Sequence, residues 1–283
     1  MSQSATSDIL ERPLLVVGSP RSGTTWLMRT LLQDPRLVGG QESHFFRSFG
    51  PPLRSFDRQR SNPRPTGLAC YWRRDELVQE LRRLWCRTFE PAIAARPDAR
   101  LFVEKTPDHA LWLDVVREVL PQARVLHIVR DSRAVVSSLL EASRRPWGVR
   151  WAPKSRRDAI HVWRSHVTAA LESPLPTHLV RYEDLVDDAP AVLEGIYDFI
   201  ELPREAEAAA LRGAVGTSLD AFVTPGDLAM LPSEPDGFGR PAEEARDGWR
   251  RDLGMWDRWR VWRRTRDLLE RLGYGRDGAR PRR

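Results

Sequence analysis

Leu14-Leu15-Val16-Val17-Gly18-Ser19-Pro20-Arg21-Ser22-Gly23-Thr24-Thr25-Trp26-Leu27 runs from four aliphatic residues, through a loop of Gly, Ser, Pro and Arg, into the start of an amphipathic pattern. Four apolar residues bounded by turn formers have the length of a buried strand, and the spacing after Gly23 suits a helix. A strand that passes to a helix through such a loop is a cradle for an anion. The first N–H groups of the helix lack intrahelical acceptors and the helix dipole is positive there, so a phosphate over the loop collects several donors. Gly23 lets the backbone approach closely, and Thr24 and Thr25 add hydroxyl donors. An ordinary strand-to-helix turn is the alternative reading of the same residues.

Three more short apolar runs lie at residues 101–103, 125–129 and 178–180, and helical patterns fall between them at 24–33, 75–89, 109–120, 133–141 and 158–171. Further helices are expected at 190–200, 205–215 and 256–272. Strands alternating with helices predict an α/β fold, a single domain with a central parallel β-sheet flanked by helices, of the P-loop-containing nucleotide-binding type. Residues 1–12 and 275–283 read as flexible ends. Residues 47–66, with Pro51, Pro52, Pro63 and Pro65, read as an exposed loop, a candidate lid or acceptor loop.

At 283 residues and 41% hydrophobic, the chain can bury a full core, yet no stretch approaches the ~18 apolar residues of a membrane span. Basic residues exceed acidic ones by 45 to 39, but only Lys105 and Lys154 are lysine. The arginines are interleaved with acids and form no block, so a nucleic-acid or polyanion-binding module is the lesser reading, and the arginine bias points to a GC-rich bacterial genome. Cys70 and Cys86 have no metal-ligand spacing and no disulfide framework. The first eleven residues lack a basic start followed by an apolar run, which makes a cytoplasmic location the expectation. Several of the eleven tryptophans, Trp112, Trp163 and Trp259 among them, fall in helical patterns and read as core.

The spacing from Gly18 to Gly23 fits the first half of G-x-x-x-x-G-K-[ST], but Thr24 stands where a nucleoside triphosphatase needs its lysine. A P-loop nucleoside kinase or NTPase is therefore the main rival enzyme reading, with Arg21 the nearest cation to the loop. A second strand, 125–129, passes directly into Arg130-Asp131-Ser132-Arg133 and a helix carrying Ser138. Arg130 and Ser138 converge on one dianion if the helix folds back beside the strand. An Arg130–Asp131 ion pair is the alternative.

These motifs resemble those of the sulfotransferases that use 3′-phosphoadenosine 5′-phosphosulfate (PAPS). Pro20-Arg21-Ser22-Gly23-Thr24-Thr25 is similar to the family's 5′-phosphosulfate loop, in the arginine form of its tyrosylprotein and related bacterial branches. Arg130 and Ser138 match an Arg-Asp-x-Arg-x-x-x-x-Ser segment whose first arginine and last serine bind the 3′-phosphate. Glu104-Lys105-Thr106-Pro107 resembles heparan-type members, where the lysine lies near the reacting centre, and Tyr182-Glu183-Asp184-Leu185 resembles a strand end whose tyrosine contacts the adenine region. The resemblance spans roughly residues 14–274. It implies a sulfotransferase with PAPS as co-substrate and no metal, acting on a hydroxyl of a small molecule, either a secondary metabolite of natural product biosynthesis or a glycan.

The nucleotide-binding set it implies is Pro20, Arg21, Ser22, Gly23, Thr24, Thr25, Trp26, Arg130, Ser138, Tyr182 and, in a loosely matched C-terminal loop, Arg240, with Arg246 as its alternative. Tyr182 reads equally well as a half-buried support of the strand end. Sulfuryl transfer to a hydroxyl also needs a general base. Glu42, just after the first helix and beside Phe45 and Phe46, matches the family's glutamate, with His44, His109 and Glu104 as the other candidates. Lys105 and Arg21 complete the catalytic set. Lys105 brings a compact point charge where the chain otherwise uses arginine.

Overall fold

The computed structural model describes residues 3–64, 66–96, 98–202 and 246–276. Five strands, β1 (Leu14–Gly18), β2 (Leu37–Gly39), β3 (Leu101–Lys105), β4 (Arg124–Val129) and β5 (Thr177–Arg181), form one sheet in the order β2-β3-β1-β4-β5. Every pairing is parallel, with Val16 opposite Lys105 on one side of β1 and Leu126 on the other. The parallel α/β architecture is as the alternation of elements predicts, while β2, three residues long, was not expected.

Parallel strands need helical crossovers, and these cover both faces, so β1 is apolar and buried throughout. Leu15, Val17, Phe102 and Val125 face a layer made by α1 (Gln3–Glu11), α3 (Phe45–Arg60), α4 (Arg74–Ala94) and α5 (Leu113–Val119). Leu14, Val16, Leu126 and Ile128 face the opposite layer, made by α2 (Thr24–Leu31), α8 (Tyr182–Asp187) and α9 (Ala189–Ile200). A third apolar cluster joins Val129 to α6 (Ser132–Ala142), α7 (Arg156–Leu171) and α11 (Met255–Arg271), which follows the short α10 (Trp249–Asp252). Period-2 alternation along β1 and β4 sends successive side chains to opposite layers.

Four expectations differ from the structure, the first two for identifiable reasons. Residues 47–66, read as a loop, are helical as far as Arg60 despite Pro51 and Pro52, because Phe45, Phe46, Leu53 and Phe56 form a buried stripe that outweighs the lost backbone bonds. The N-terminal end is not loose over residues 3–11. Leu10 is buried there and its carbonyl accepts from Trp85 Nε1 at 2.8 Å, which docks α1 on α4. Trp163 is core as expected, but Trp259 is 43% exposed on the outward side of α11, with Trp256 and Arg263 against its ring. The pattern at 109–120 begins as a 3-10 turn, Pro107–Trp112, and the helix expected at 205–215 lies outside the described residues.

His127, on β4 opposite Val17, is fully buried and neither ring nitrogen has a hydrogen-bond partner among the described residues. Burial disfavours the imidazolium and brings its pKa from 6.5 down to about 4, with His166 acting in the same direction. Between those two values the unfolded chain binds a proton that the folded chain refuses, so this contribution to stability is complete above pH 6.5 and is lost as pH falls toward 4. The loss expected is roughly 3 kcal/mol. Urea unfolding at pH 7 and pH 5 should show the native chain weakening in this window and a His127→Leu chain weakening much less. Equal losses in the two chains would remove His127 as the cause.

Candidate active site

All five strands point the same way, so their carboxyl ends share one edge of the sheet. That edge carries the 18–25 loop after β1, residues 40–44 after β2, Lys105 at the end of β3, Arg130 after β4 and Tyr182 after β5. Strand order reverses at β1, with β3 and β2 to one side and β4 and β5 to the other, and a crevice at such a switch point is where open α/β sheets bind ligands.

The loop is built by conformation as much as by side chains. A Cβ on Gly18 would collide with the Ile128 carbonyl, so glycine lets β1 and β4 close together at the loop's root. Ser22 N–H donates to the Ser19 carbonyl at 3.1 Å, closing a turn. Arg21 stands at φ 71 and Gly23 at φ 98, both left-handed, and Gly23 then opens α2. Arg21 adopts that region at a cost a glycine would avoid. Its guanidinium shows why the position is arginine: Nε donates to Ser138 Oγ at 3.0 Å, and the group lies 5.2 Å over the Trp147 ring. The Arg21 carbonyl in turn accepts from Arg130 at 3.2 Å. The loop after β1 and the segment after β4, more than 100 residues apart in sequence, thus meet at one residue.

Ser22 Oγ is fully buried with no partner among the described residues, and α2 begins two residues later at Thr24. A buried hydroxyl left without a partner is uncommon and suits a site whose remaining acceptor is a ligand. Thr24 is buried and Thr25 and Trp26 are half-buried at the same helix start, while Pro20 sets the turn before Arg21. The donor set therefore fits a phosphate or sulfate group.

Tyr182 departs from the reading as a purine platform. Arg130 lies 4.2 Å over its ring, Trp26 meets it edge-on at 5.6 Å, and Gly23 has no room for a Cβ, which would come within 2.5 Å of the ring. The ring is 5% exposed, so this geometry favours its reading as a support beneath the loop and Arg130. Burial pushes its phenol up, partly countered by Arg130. Behind Arg130, Asp131 caps α6 through Arg133 N–H at 2.8 Å and takes the Arg133 side chain as well, so it is not the ion-pair partner of Arg130. Glu183 accepts from Asp131 N–H at 3.0 Å and Tyr274 OH at 2.6 Å, with burial raising its pKa.

On the β3 side, Lys105 is 7% exposed and its Nζ bonds Glu42 Oε1, while Glu42 Oε2 lies 3.6 Å from His44 Nε2. Glu42 keeps about a third of its side chain in solvent. His109 and Glu104, the other base candidates, lie beneath: His109 is 0% exposed, with Nδ1 2.8 Å from Glu104 Oε2. Burial raises Glu104, but His109 and then the Thr106 and Ser43 hydroxyls outweigh it and hold its pKa at about 2. Neither group is presented to an acceptor. Arg240 lies outside the described residues, and Arg246 is engaged with Asp187 and Asp247. The role of Trp147 was not legible, because nothing in a loop tryptophan's sequence context indicates contact with Arg21. No cluster of three or more metal-ligating side chains occurs among the described residues.

Residues 13–206 match the profile of a family described as the sulfotransferase family. A Caenorhabditis briggsae protein that carries the name of a protein-tyrosine sulfotransferase is 26% identical over 223 residues, 74% of this chain and 72% of that protein. Among solved structures, the sulfotransferase domain from the curacin biosynthetic pathway has a TM-score of 0.58 at 20% identity, covering 93% of this chain and 98% of its own. Sulfotransferase STF9 from Mycobacterium avium has 0.57 at 17% identity, covering 98% and 81%. Mouse sulfotransferase SULT7A1 complexed with PAP has 0.52 at 13%, covering 95% and 91%. At these identities the likeness to solved structures is one of fold.

The loop geometry sets a test of its own. Gly23→Ala must hold a left-handed φ and push against Tyr182, and is expected to cost about 1–3 kcal/mol in urea unfolding. Gly40→Ala, whose Cβ meets nothing within 4 Å, should cost far less. Equal costs would show that the loop conformation is not constrained as described.

Proposed function

The chain belongs to the sulfotransferase family, and on that premise we propose that it transfers a sulfuryl group from PAPS to a hydroxyl of a small molecule or glycan. The observation that carries the proposal is the junction at Arg21, where a phosphate loop, Ser138 and Arg130 are joined by direct hydrogen bonds. A donor with a phosphosulfate at one end and a 3′-phosphate at the other requires two linked anion sites of this kind. When bound, PAPS supplies an electrophilic sulfur whose bond to the 5′-phosphate oxygen breaks as the acceptor oxygen attaches.

In this reading the N–H groups of Gly23, Thr24 and Thr25, with the Ser22 hydroxyl, hold the 5′ end. Arg130 and Ser138 hold the 3′-phosphate, and Trp26 borders the nucleotide from the first turn of α2. Glu42 takes the acceptor proton at Oε2, which is beyond hydrogen-bond length from His44. Lys105 and Arg21 stabilise the negative charge left on the bridging oxygen. Positioning and charge stabilisation are sufficient for such a transfer, so the reading calls for no metal. Within the same proposal the reaction is cytoplasmic, which the unpaired Cys70 and Cys86 support, and the source is bacterial, which the arginine bias supports. No helix among the described residues is long and apolar enough to cross a membrane. A tyrosyl hydroxyl is the second acceptor reading, favoured by the C. briggsae relative.

Two measurements test this. In a thermal-shift experiment, 3′,5′-adenosine bisphosphate at about 100 times its dissociation constant should stabilise the chain by about 2.7 kcal/mol without Mg²⁺, while ATP, ADP and 5′-AMP do much less. A shift confined to Mg-ATP would mean a kinase or NTPase. With PAPS and a panel of sugar, phenol and tyrosyl-peptide acceptors, Glu42→Gln should lower kcat by about 10²–10⁴-fold and leave the bisphosphate shift intact. Near-normal turnover would end the assignment of Glu42.

A further inference from the structure

Glu104 sits at 2% exposure on the sheet face opposite Lys105, inside an apolar layer with Phe46 and Trp85. A buried carboxylate costs several kcal/mol in desolvation, and an apolar side chain of similar volume commonly serves stability as well or better. Its partners are unusual in where they come from. Glu104 Oε1 accepts from Ser43 N–H at 3.2 Å, Ser43 Oγ at 2.8 Å and Thr106 Oγ at 2.6 Å. His44 N–H donates to Thr106 Oγ at 3.4 Å, and Phe45 N–H donates to Ser43 Oγ at 3.2 Å.

His109 completes the set. Its Nε2 accepts from Phe46 N–H at 3.4 Å, and its Nδ1 lies 2.8 Å from Glu104 Oε2. Four consecutive backbone N–H groups, from Ser43 to Phe46, thus end on Glu104, on His109, or on the two hydroxyls that Glu104 orients. The residue immediately before them is Glu42. Consecutive residues of β3 hold consecutive residues of this loop, Lys105 taking Glu42 and Glu104 taking Ser43.

We infer that Glu104, together with His109 and Thr106, is a positioning residue that fixes the 43–46 backbone and so holds the Glu42 carboxylate against Lys105 at the mouth of the phosphate loop. The inference rests on the reading of Glu42 as the base. His109 and Glu104 then act through Glu42, without touching substrate.

The test is a double-mutant cycle in the full chain, with PAPS as donor and 4-nitrophenol or water as acceptor. Ser43→Ala should lower kcat on the order of 10- to 100-fold, as a small misplacement of a catalytic group does. KM for PAPS and the thermal shift with 3′,5′-adenosine bisphosphate should stay at the parent values, and Ser43→Thr, which keeps the hydroxyl, should retain kcat. In a Glu42→Gln background, Ser43→Ala should have no further effect, because the group it positions is gone. Glu104→Gln, at the other end of the same bond, should lose its effect on kcat in that background too. Parent-level kcat in Ser43→Ala, or the same loss in both backgrounds, overturns the inference while leaving Glu42 as base. Near-normal turnover of Glu42→Gln removes the base reading, and the inference with it.

Discussion

Arg21 binds two halves of the sheet edge into one site. Its side chain reaches Ser138 on α6 and its carbonyl receives Arg130, both from the β4 side of the crevice, while its own backbone belongs to the loop after β1. Neither contact forms unless the loop turns through a left-handed residue here, and the turn is held by the Ser22–Ser19 bond and by Gly23 against Tyr182. The strain at Arg21 is small beside what it joins. A charged donor bonded to a hydroxyl within a half-buried site is worth more than the ~1 kcal/mol of an ordinary hydrogen bond. The aromatic faces of Trp147 and Tyr182 hold the two guanidiniums of Arg21 and Arg130 in place.

The support behind this junction is layered. Asp131 caps α6 and fixes Arg133, whose guanidinium packs 4.2 Å over Trp249. Glu183 receives the Asp131 N–H and the Tyr274 hydroxyl, and Trp163 Nε1 donates to the Arg130 carbonyl at 3.1 Å. Arg130 is thus set by its backbone from below and by Tyr182 from the side before any ligand arrives. Such preorganisation is what a site needs if binding is not to be spent on ordering its own side chains.

The parallel sheet was legible because short apolar runs next to Gly-rich or charged turns leave few alternatives. What escaped depended on tertiary contacts. α3 contains two prolines and forms because its aromatic stripe is buried against Trp85 and its Gly50 packs on Trp112, neither of which is near it in sequence. β2 is three residues long and is recognisable only by its pairing with β3. The sequence offers Glu42 first, then His109 and then Glu104, as candidates for a base. Burial separates them, leaving Glu42 at the surface of the crevice and the other two beneath it.

Lys105 shows how composition and geometry combine. The chain meets nearly every need for a cation with arginine, yet uses lysine at the end of β3, where the residue is 7% exposed and lies beside β1 at Val16. A guanidinium is a planar fork with five donors, several of which would remain buried and unsatisfied in so confined a place. An ammonium has three donors on a flexible stem. It can hold Glu42 with one and turn the others toward the loop, so that one charge serves both the carboxylate and whatever anion the loop receives. The same compactness lets Glu42 keep about a third of its side chain in solvent while its partner stays within the protein.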